Sequence, residues 1–470
     1  MKVPVLSAIA LLAFAAPSLA QAKEDTVSYG PFGTVHIYRQ SEKPTNVALF
    51  VSGDGGWNQG VVDMARSLAG LHTLVAGIDI THYLKQTAAA DASCTYSAAD
   101  LEGLSKFLQT KYGYDHYAEP VLVGYSSGAT LAYAALVQGP PNTFAGALSM
   151  GFCPDLMSPK PLCNGNGLTH TDDPKHKSTY IYGKTQSTPA PWTAFQGETD
   201  QVCDPTATKA FVDGIGNSNL VMLPKVGHGF SVEKNWLPQF KDSFQRIVFQ
   251  KKAADAADPK PDSLSDLPLI ENGLADPKGK PLAIILTGDG GWASIDRDIG
   301  DAMNKDGVNV VGLNTLQYFW SAKTPDQSSR DLGRILRWYE DAWTPSSIMV
   351  IGYSLGADVL PFMVNQLPAD QQSRIATVAM LGAGHEADFA VHVTDWLISE
   401  KHDGSLPIKP EADKIAAANR LCFYGEEETS DSLCPTLDAA KFTIIKTKGG
   451  HHFGGDYTAL ADDILKAGSH

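Results

Sequence analysis

Short apolar runs that end in glycine turns alternate along the chain with stretches whose apolar residues recur every three or four positions. Val47–Val51 and Leu282–Leu286 are two such runs, and unbroken apolar character over so few residues is what a parallel strand buried on both faces requires. Leu101, Leu104, Phe107 and Leu108 fall on one face of a helix that Gly113 terminates, and Leu332, Ile335, Leu336 and Tyr339 repeat that spacing. Strands alternating with helices predict mainly parallel sheet covered by helices on both faces.

The pattern occurs twice. Ser52-Gly53-Asp54-Gly55-Gly56-Trp57 returns 235 residues later as Thr287-Gly288-Asp289-Gly290-Gly291-Trp292, and Val123-Gly124-Tyr125-Ser126-Ser127-Gly128-Ala129 returns 228 residues later as Ile351-Gly352-Tyr353-Ser354-Leu355-Gly356-Ala357. Two landmarks in the same order at nearly constant offset mark a domain duplication, because the period far exceeds that of stacked repeats. Residues 251–280 between the copies are rich in Ala, Asp, Lys and Pro and read as a linker. The expected organisation is an export signal over 1–22, a first domain over 23–250, the linker, and a second domain over 281–470.

Length and composition fit this division. The 470 residues, 43% hydrophobic and 19% charged, suit two folded domains rather than one core. Lys2, the apolar run Val3–Ala16 and the small residues before Gln21 and after it predict cleavage by a signal peptidase after residue 22. Loss of Lys2 takes the net charge from −15 to −16, which argues against nucleic acid or an anionic membrane held by charge alone. Six cysteines in an exported chain predict disulfides; Cys422 and Cys434 are alone in the second half, so pairing within that domain joins them to each other. Their spacing offers no metal-ligand pattern, and neither a metal nor an organic cofactor is expected.

Gly-x-Ser-x-Gly between a strand and a helix is a nucleophile elbow, in which the glycines permit a sharp turn that lifts the serine hydroxyl clear of the sheet. Val121–Val123 precedes Ser126 and Ile348–Ile351 precedes Ser354, so both copies have the strand; Pro361 is expected to kink the second helix. A serine hydroxyl needs a base, and the base an orienting acid, supplied in the order Ser, acid, His. The first copy offers Asp200 and then His228 in Val226-Gly227-His228-Gly229-Phe230; the second offers an acidic loop after Phe423-Tyr424-Gly425 and then His451 in Gly450-His451-His452-Phe453. Counting from the glycine makes the second acid Glu428. Counting back from the cysteine, as in Asp200-x-x-Cys203, makes it Asp431, and the proline that follows both cysteines favours Asp431. Backbone N–H groups of Asp54, Gly55 and Ser127, and of Asp289, Gly290 and Leu355, are the candidate oxyanion holes. The fold class expected is therefore α/β, as two tandem α/β-hydrolase-like domains.

With these motifs assembled the chain resembles the VirJ/AcvB family of bacterial virulence proteins. The residues that carry the likeness are Gly288-Asp289-Gly290-Gly291-Trp292, Tyr318-Phe319-Trp320 with Thr324-Pro325, Gly352-Tyr353-Ser354-Leu355-Gly356-Ala357-Asp358, Asp431-Ser432-Leu433-Cys434 and Gly450-His451-His452-Phe453. The resemblance implies a periplasmic serine esterase that removes lysine from lysyl-phosphatidylglycerol at the membrane face, with Ser354 as nucleophile and His451 as base. It also implies a link to type IV secretion and hence to secretion-system proteins as partners. The first copy departs from the pattern, with Thr130 in place of Asp358 and no Phe-Trp pair after Tyr83, so Ser354 rather than Ser126 is expected to act on the lipid. Asp358, Glu426 and Glu427 are candidates for favouring a lysyl ammonium. A general carboxylesterase or peptidase is the alternative enzyme reading, and a non-catalytic accessory protein of the secretion system the alternative of another kind.

Overall fold

Alternate residues of Asn46–Val51 enter different cores: Val47, Leu49 and Val51 join one apolar cluster, Ala48 and Phe50 another on the opposite face. Leu282–Leu286 divides in the same way, which is why neither run has a polar side. The computed structural model describes residues 23–89, 92–257, 262–292, 294–391 and 404–467, and the segment read as an export signal lies outside them.

The first sheet has eight strands, in the spatial order Lys23–Tyr29, Gly33–Arg39, Thr73–Ile78, Asn46–Val51, Val121–Tyr125, Gly146–Met150, Ser187–Gly197 and Gly216–Leu223. The second strand is antiparallel to both its neighbours and the rest are parallel. The described strands of the second sheet number seven and follow the same winding: Leu269–Asn272, Asn309–Leu313, Leu282–Leu286, Ile348–Tyr353, Ile375–Leu381, Asn419–Gly425 and Thr443–Thr447, with the first antiparallel. This is the α/β-hydrolase order, present twice, with the early strand and the elbow strand adjacent at the centre of each sheet.

The helix Ser97–Lys111 buries Leu101, Leu104 and Leu108 and stops before Gly113, whose φ of +66° ends it. The helix Leu355–Asn365 contains Pro361 in its interior and continues past it. The segment read as a linker is structured at both ends. Helix Leu237–Ala257 extends into it on alanines and lysines, and Leu269–Asn272 forms the edge strand of the second sheet. Disulfides join Cys94 to Cys163, Cys153 to Cys203 and, as the cysteine count demands, Cys422 to Cys434.

The two domains touch through the Phe-Trp pair that the first copy lacks. Phe319 is buried in the second core, while Trp320 Nε1 donates to the carbonyl oxygen of Tyr114 at 2.9 Å and its ring lies 5.3 Å from that of Tyr117. Gln317 Nε2 donates to the carbonyl oxygen of Tyr117 at 3.0 Å. A cavity of about 920 Å³ lies beside this contact, lined by Val47 and Val121 at the starts of first-sheet strands and by Trp292 and Asn314 beyond the ends of second-sheet strands. The C-terminal edge of the second sheet thus faces the base of the first domain. No triad candidate lines the cavity.

Candidate active site

Each elbow is forced into shape by two glycines. A Cβ on Gly124 would stand 1.9 Å from the carbonyl oxygen of Gly128, and one on Gly128 would stand 2.3 Å from that of Val51. Gly352 and Gly356 are as tightly placed, at 2.4 Å and 2.2 Å from the carbonyl oxygens of Gly356 and Leu286. Between them the serines adopt a backbone that side chains rarely tolerate, φ 56° and ψ −123° at Ser126, φ 51° and ψ −121° at Ser354. Strain of this kind persists only where the surroundings over-determine it, and it clusters at functional sites.

In the first domain the three side chains form one continuous chain of hydrogen bonds. His228 Nε2 lies 3.0 Å from Ser126 Oγ, and His228 Nδ1 lies 2.9 Å from Asp200 Oδ2. Asp200 also accepts from the backbone N–H groups of Val202 and Cys203 and from Gln196 Nε2. Burial pushes its carboxyl up, but the bonds from His228, Cys203 and Val202 together outweigh that and hold it below the usual carboxylate range. The acid therefore stays ionised wherever the histidine works as a base. Asp200 and His228 sit near the Cys203 sulfur, which is bonded to Cys153 and so is no thiolate ligand. That disulfide ties the acid loop to the chain just beyond Gly146–Met150.

The second domain has the same parts less tightly drawn. His451 Nδ1 lies 2.9 Å from Glu428 Oε2, and Gly425 donates its N–H to Glu428 Oε1. The acid that meets the histidine is Glu428 and not Asp431, which is exposed and gives its backbone N–H to the Glu428 carbonyl oxygen. No hydrogen bond joins Ser354 Oγ to His451 among the described residues. The His451 side chain is 41% exposed where that of His228 is 16%, so the second site is open and the first closed. Catalytic hydrogen bonds are often long before substrate arrives, so the missing bond does not remove the pair from consideration.

The early-strand turn lies against each elbow serine. A Cβ on Gly53 would come within 2.9 Å of Ser126 Cβ, and one on Gly288 within 3.4 Å of Ser354 Cβ. Each turn is anchored by the tryptophan that follows it: Trp57 lies over Gly77 and Trp292 over Gly312, where a Cβ would stand 2.0 Å and 2.3 Å from the indoles. The N–H groups of Ser127 and Leu355 open their helices and have no backbone acceptor among the described residues. They remain available, with Asp54 and Gly55 or Asp289 and Gly290, to a developing oxyanion.

Several supporting residues escaped the sequence reading. Gly151 and Gly382, both left-handed, face the imidazoles, and a Cβ there would stand 3.1 Å from His228 Cε1 and 2.9 Å from His451 Cε1. Tyr125 and Tyr353, each before a serine, donate their hydroxyls to the backbone carbonyl oxygens of His228 and His451. The glycine after each late strand was the available signal. Asp358 is not an exposed counter-charge: its Oδ1 accepts from Gly384 N–H at 2.7 Å, and burial, with Asp388 and Asp289 nearby, pushes its carboxyl well above the usual range. Thr130, its counterpart, donates to the Cys153 carbonyl oxygen at 2.6 Å and makes the equivalent tie. Glu426 and Glu427 are exposed on the short turn Glu426–Glu428. His452, beside the base, is held below its ordinary range by burial and by His451.

Known structures of similar shape each cover about one domain. An α/β serine hydrolase without lid from Xanthomonas campestris is 18% identical, covers 50% of this chain and 96% of its own, with a TM-score of 0.31. A dienelactone hydrolase from Anabaena variabilis is 16% identical, covers 49% and 98%, with a TM-score of 0.33. An esterase from Thermogutta terrifontis is 16% identical, covers 50% and 94%, with a TM-score of 0.33. No curated protein matches the chain. The family model for the bacterial virulence protein VirJ matches residues 45–146, which carry the first elbow, and residues 280–470, which hold Ser354, Glu428 and His451. Those two regions make up more than half of the sequence, and the chain belongs to the VirJ family.

Proposed function

We propose that this protein is a periplasmic serine hydrolase of carboxylic esters, working through an acyl-serine intermediate. The observation that carries this reading is the unbroken Asp200–His228–Ser126 relay on a strained elbow, a constellation with no structural purpose that simpler residues would not serve. Three disulfides agree with an oxidising compartment. Among the described residues no helix is long and apolar enough to cross a membrane.

For the second site we propose the lysyl ester of phosphatidylglycerol, on the family resemblance and on the acidic turn Glu426–Glu428 beside His451. Ser354 Oγ attacks the lysyl carbonyl as His451 takes its proton, and the oxyanion rests on the N–H groups of Leu355 and the Asp289–Gly290 turn. Collapse breaks the bond to the lipid oxygen, which leaves with the proton from His451. Water, deprotonated by His451, then attacks the lysyl-serine ester and releases lysine. Glu428 holds the imidazole and stabilises its charged form throughout.

Lysine release from vesicles containing lysyl-phosphatidylglycerol tests the substrate, against vesicles of the alanyl lipid. The protein is expected to prefer the lysyl lipid, and the Glu426→Gln/Glu427→Gln variant to lose roughly tenfold of that preference, as a charged hydrogen bond is worth about 1.5–3 kcal/mol. Absence of lysine release would remove the lipid from the proposal and leave the esterase. An unchanged preference in the variant would remove the two glutamates from lysyl recognition.

A further inference from the structure

The two oxyanion turns are held by different means. In the first domain Ser127 Oγ donates to Asp54 Oδ1 at 2.5 Å, so the residue after the nucleophile braces the turn opposite it. In the second domain Leu355 occupies the place of Ser127, and a leucine has no donor for Asp289. The brace comes from the other domain. Lys106, on the helix Ser97–Lys111 of the first domain, is fully buried and donates from Nζ to the carbonyl oxygen of Asp289 at 3.1 Å. Its charge is paired with Glu102, one helical turn back, at 3.1 Å. Asp289 is partly buried where its counterpart Asp54 is exposed, because the first domain lies against it.

A trans peptide points its C=O and its following N–H in opposite directions. An ammonium fixed on the Asp289 carbonyl oxygen therefore fixes the direction of the Gly290 N–H, one of the second site's candidate oxyanion donors. A buried ammonium is costly to leave short of acceptors, so the bond to the Asp289 carbonyl oxygen is held in place. The contacts of Trp320 with Tyr114 and Tyr117 keep the helix bearing Lys106 in place. We infer that Lys106 is a positioning residue for the second active site, and that the first domain completes the oxyanion hole of the second. This rests on the reading of Ser354 as a working nucleophile. It also accounts for a leucine at position 355, since the intradomain brace is not needed there.

The test uses the full chain and a fluorophosphonate probe, with labelling of the Ser126 and Ser354 peptides followed separately in time by mass spectrometry. In Lys106→Met, labelling at Ser354 is expected to slow by roughly tenfold to a hundredfold, somewhat less than the loss of a whole oxyanion donor. Labelling at Ser126 in the same molecules should change less than about twofold, because no part of that site depends on Asp289. Lys106→Gln, which keeps an N–H donor, should recover part of the rate. Where the single variant folds poorly because Glu102 is left unpaired, Glu102→Gln/Lys106→Met removes both charges and carries the same expectation. Adding Leu355→Ser to that background should restore Ser354 labelling by supplying the intradomain brace. Equal Ser354 rates in all variants, with Ser354 reactive in the unsubstituted chain, would overturn this inference alone. An unsubstituted chain whose Ser354 never reacts would overturn the reading of the second site and this inference with it.

Discussion

Ser126→Ala is expected to remove most turnover of a small soluble ester such as p-nitrophenyl acetate, costing the first site about 10⁶ in kcat, the scale seen when the nucleophile of a serine triad is removed, and leaving only the slower contribution of Ser354. The reason is that the first site is assembled in the resting molecule. Ser126, His228 and Asp200 are already within 3.0 Å of their partners, and the histidine is largely shielded from water. Ser354→Ala should leave most of this activity in place, because no Ser–His hydrogen bond is formed in the second site among the described residues. Steady-state rates of the two variants under the same conditions decide the matter. A Ser126→Ala protein that hydrolyses the ester at the unsubstituted rate would show that the assembled triad is inert.

Glu428→Gln is expected to cost about 10⁴ in kcat for lysine release at the second site, the scale of an acid-to-amide change at this position in a serine triad. A glutamine in that place no longer supplies the negative charge that steadies the imidazolium, and its amide can present an N–H where the histidine needs an acceptor. Asp431→Asn should change the rate only a few-fold, since its side chain faces solvent three residues further on. Rates of lysine release from the two variants check this. A large loss in Asp431→Asn with Glu428→Gln near normal would restore the acid that the cysteine spacing favours.

That spacing misled for a reason the fold makes plain. Asp200-x-x-Cys203 and Asp431-x-x-Cys434 align as letters, but Cys203 is bonded to Cys153 beyond a neighbouring strand, while Cys434 is bonded to Cys422 within the strand that precedes its own acid loop. The two cysteines anchor their loops from different sides, so distance from the cysteine does not predict which carboxyl reaches the histidine. Distance from the glycine that ends the strand does, because Gly197 and Gly425 leave the sheet at the same point, and Asp200 and Glu428 each follow by three residues. The elbows, the histidines and the two-layered cores were legible because sterics and burial impose their patterns locally. Gly151, Gly382 and the tyrosines before each serine meet the histidines only in the folded chain, and a glycine directly after a strand is the one local sign of them.

The difference between Thr130 and Asp358, a departure from the family's pattern, is one reason to expect Ser354 rather than Ser126 to act on the lipid. In the structure both side chains tie the first turn of the elbow helix to the loop after the next strand, one by donating and the other by accepting. The absence of a Phe-Trp pair in the first copy has a different meaning again, since Trp320 is spent on the contact between the domains.

The most direct test of the central claim is the covalent adduct itself. The unsubstituted protein, treated with a fluorophosphonate and digested, should carry the phosphonyl group on Ser126 first and on Ser354 more slowly, with no adduct at either position after alanine substitution there. A protein folded and oxidised at all three disulfides that carries no adduct on either serine would contradict the account.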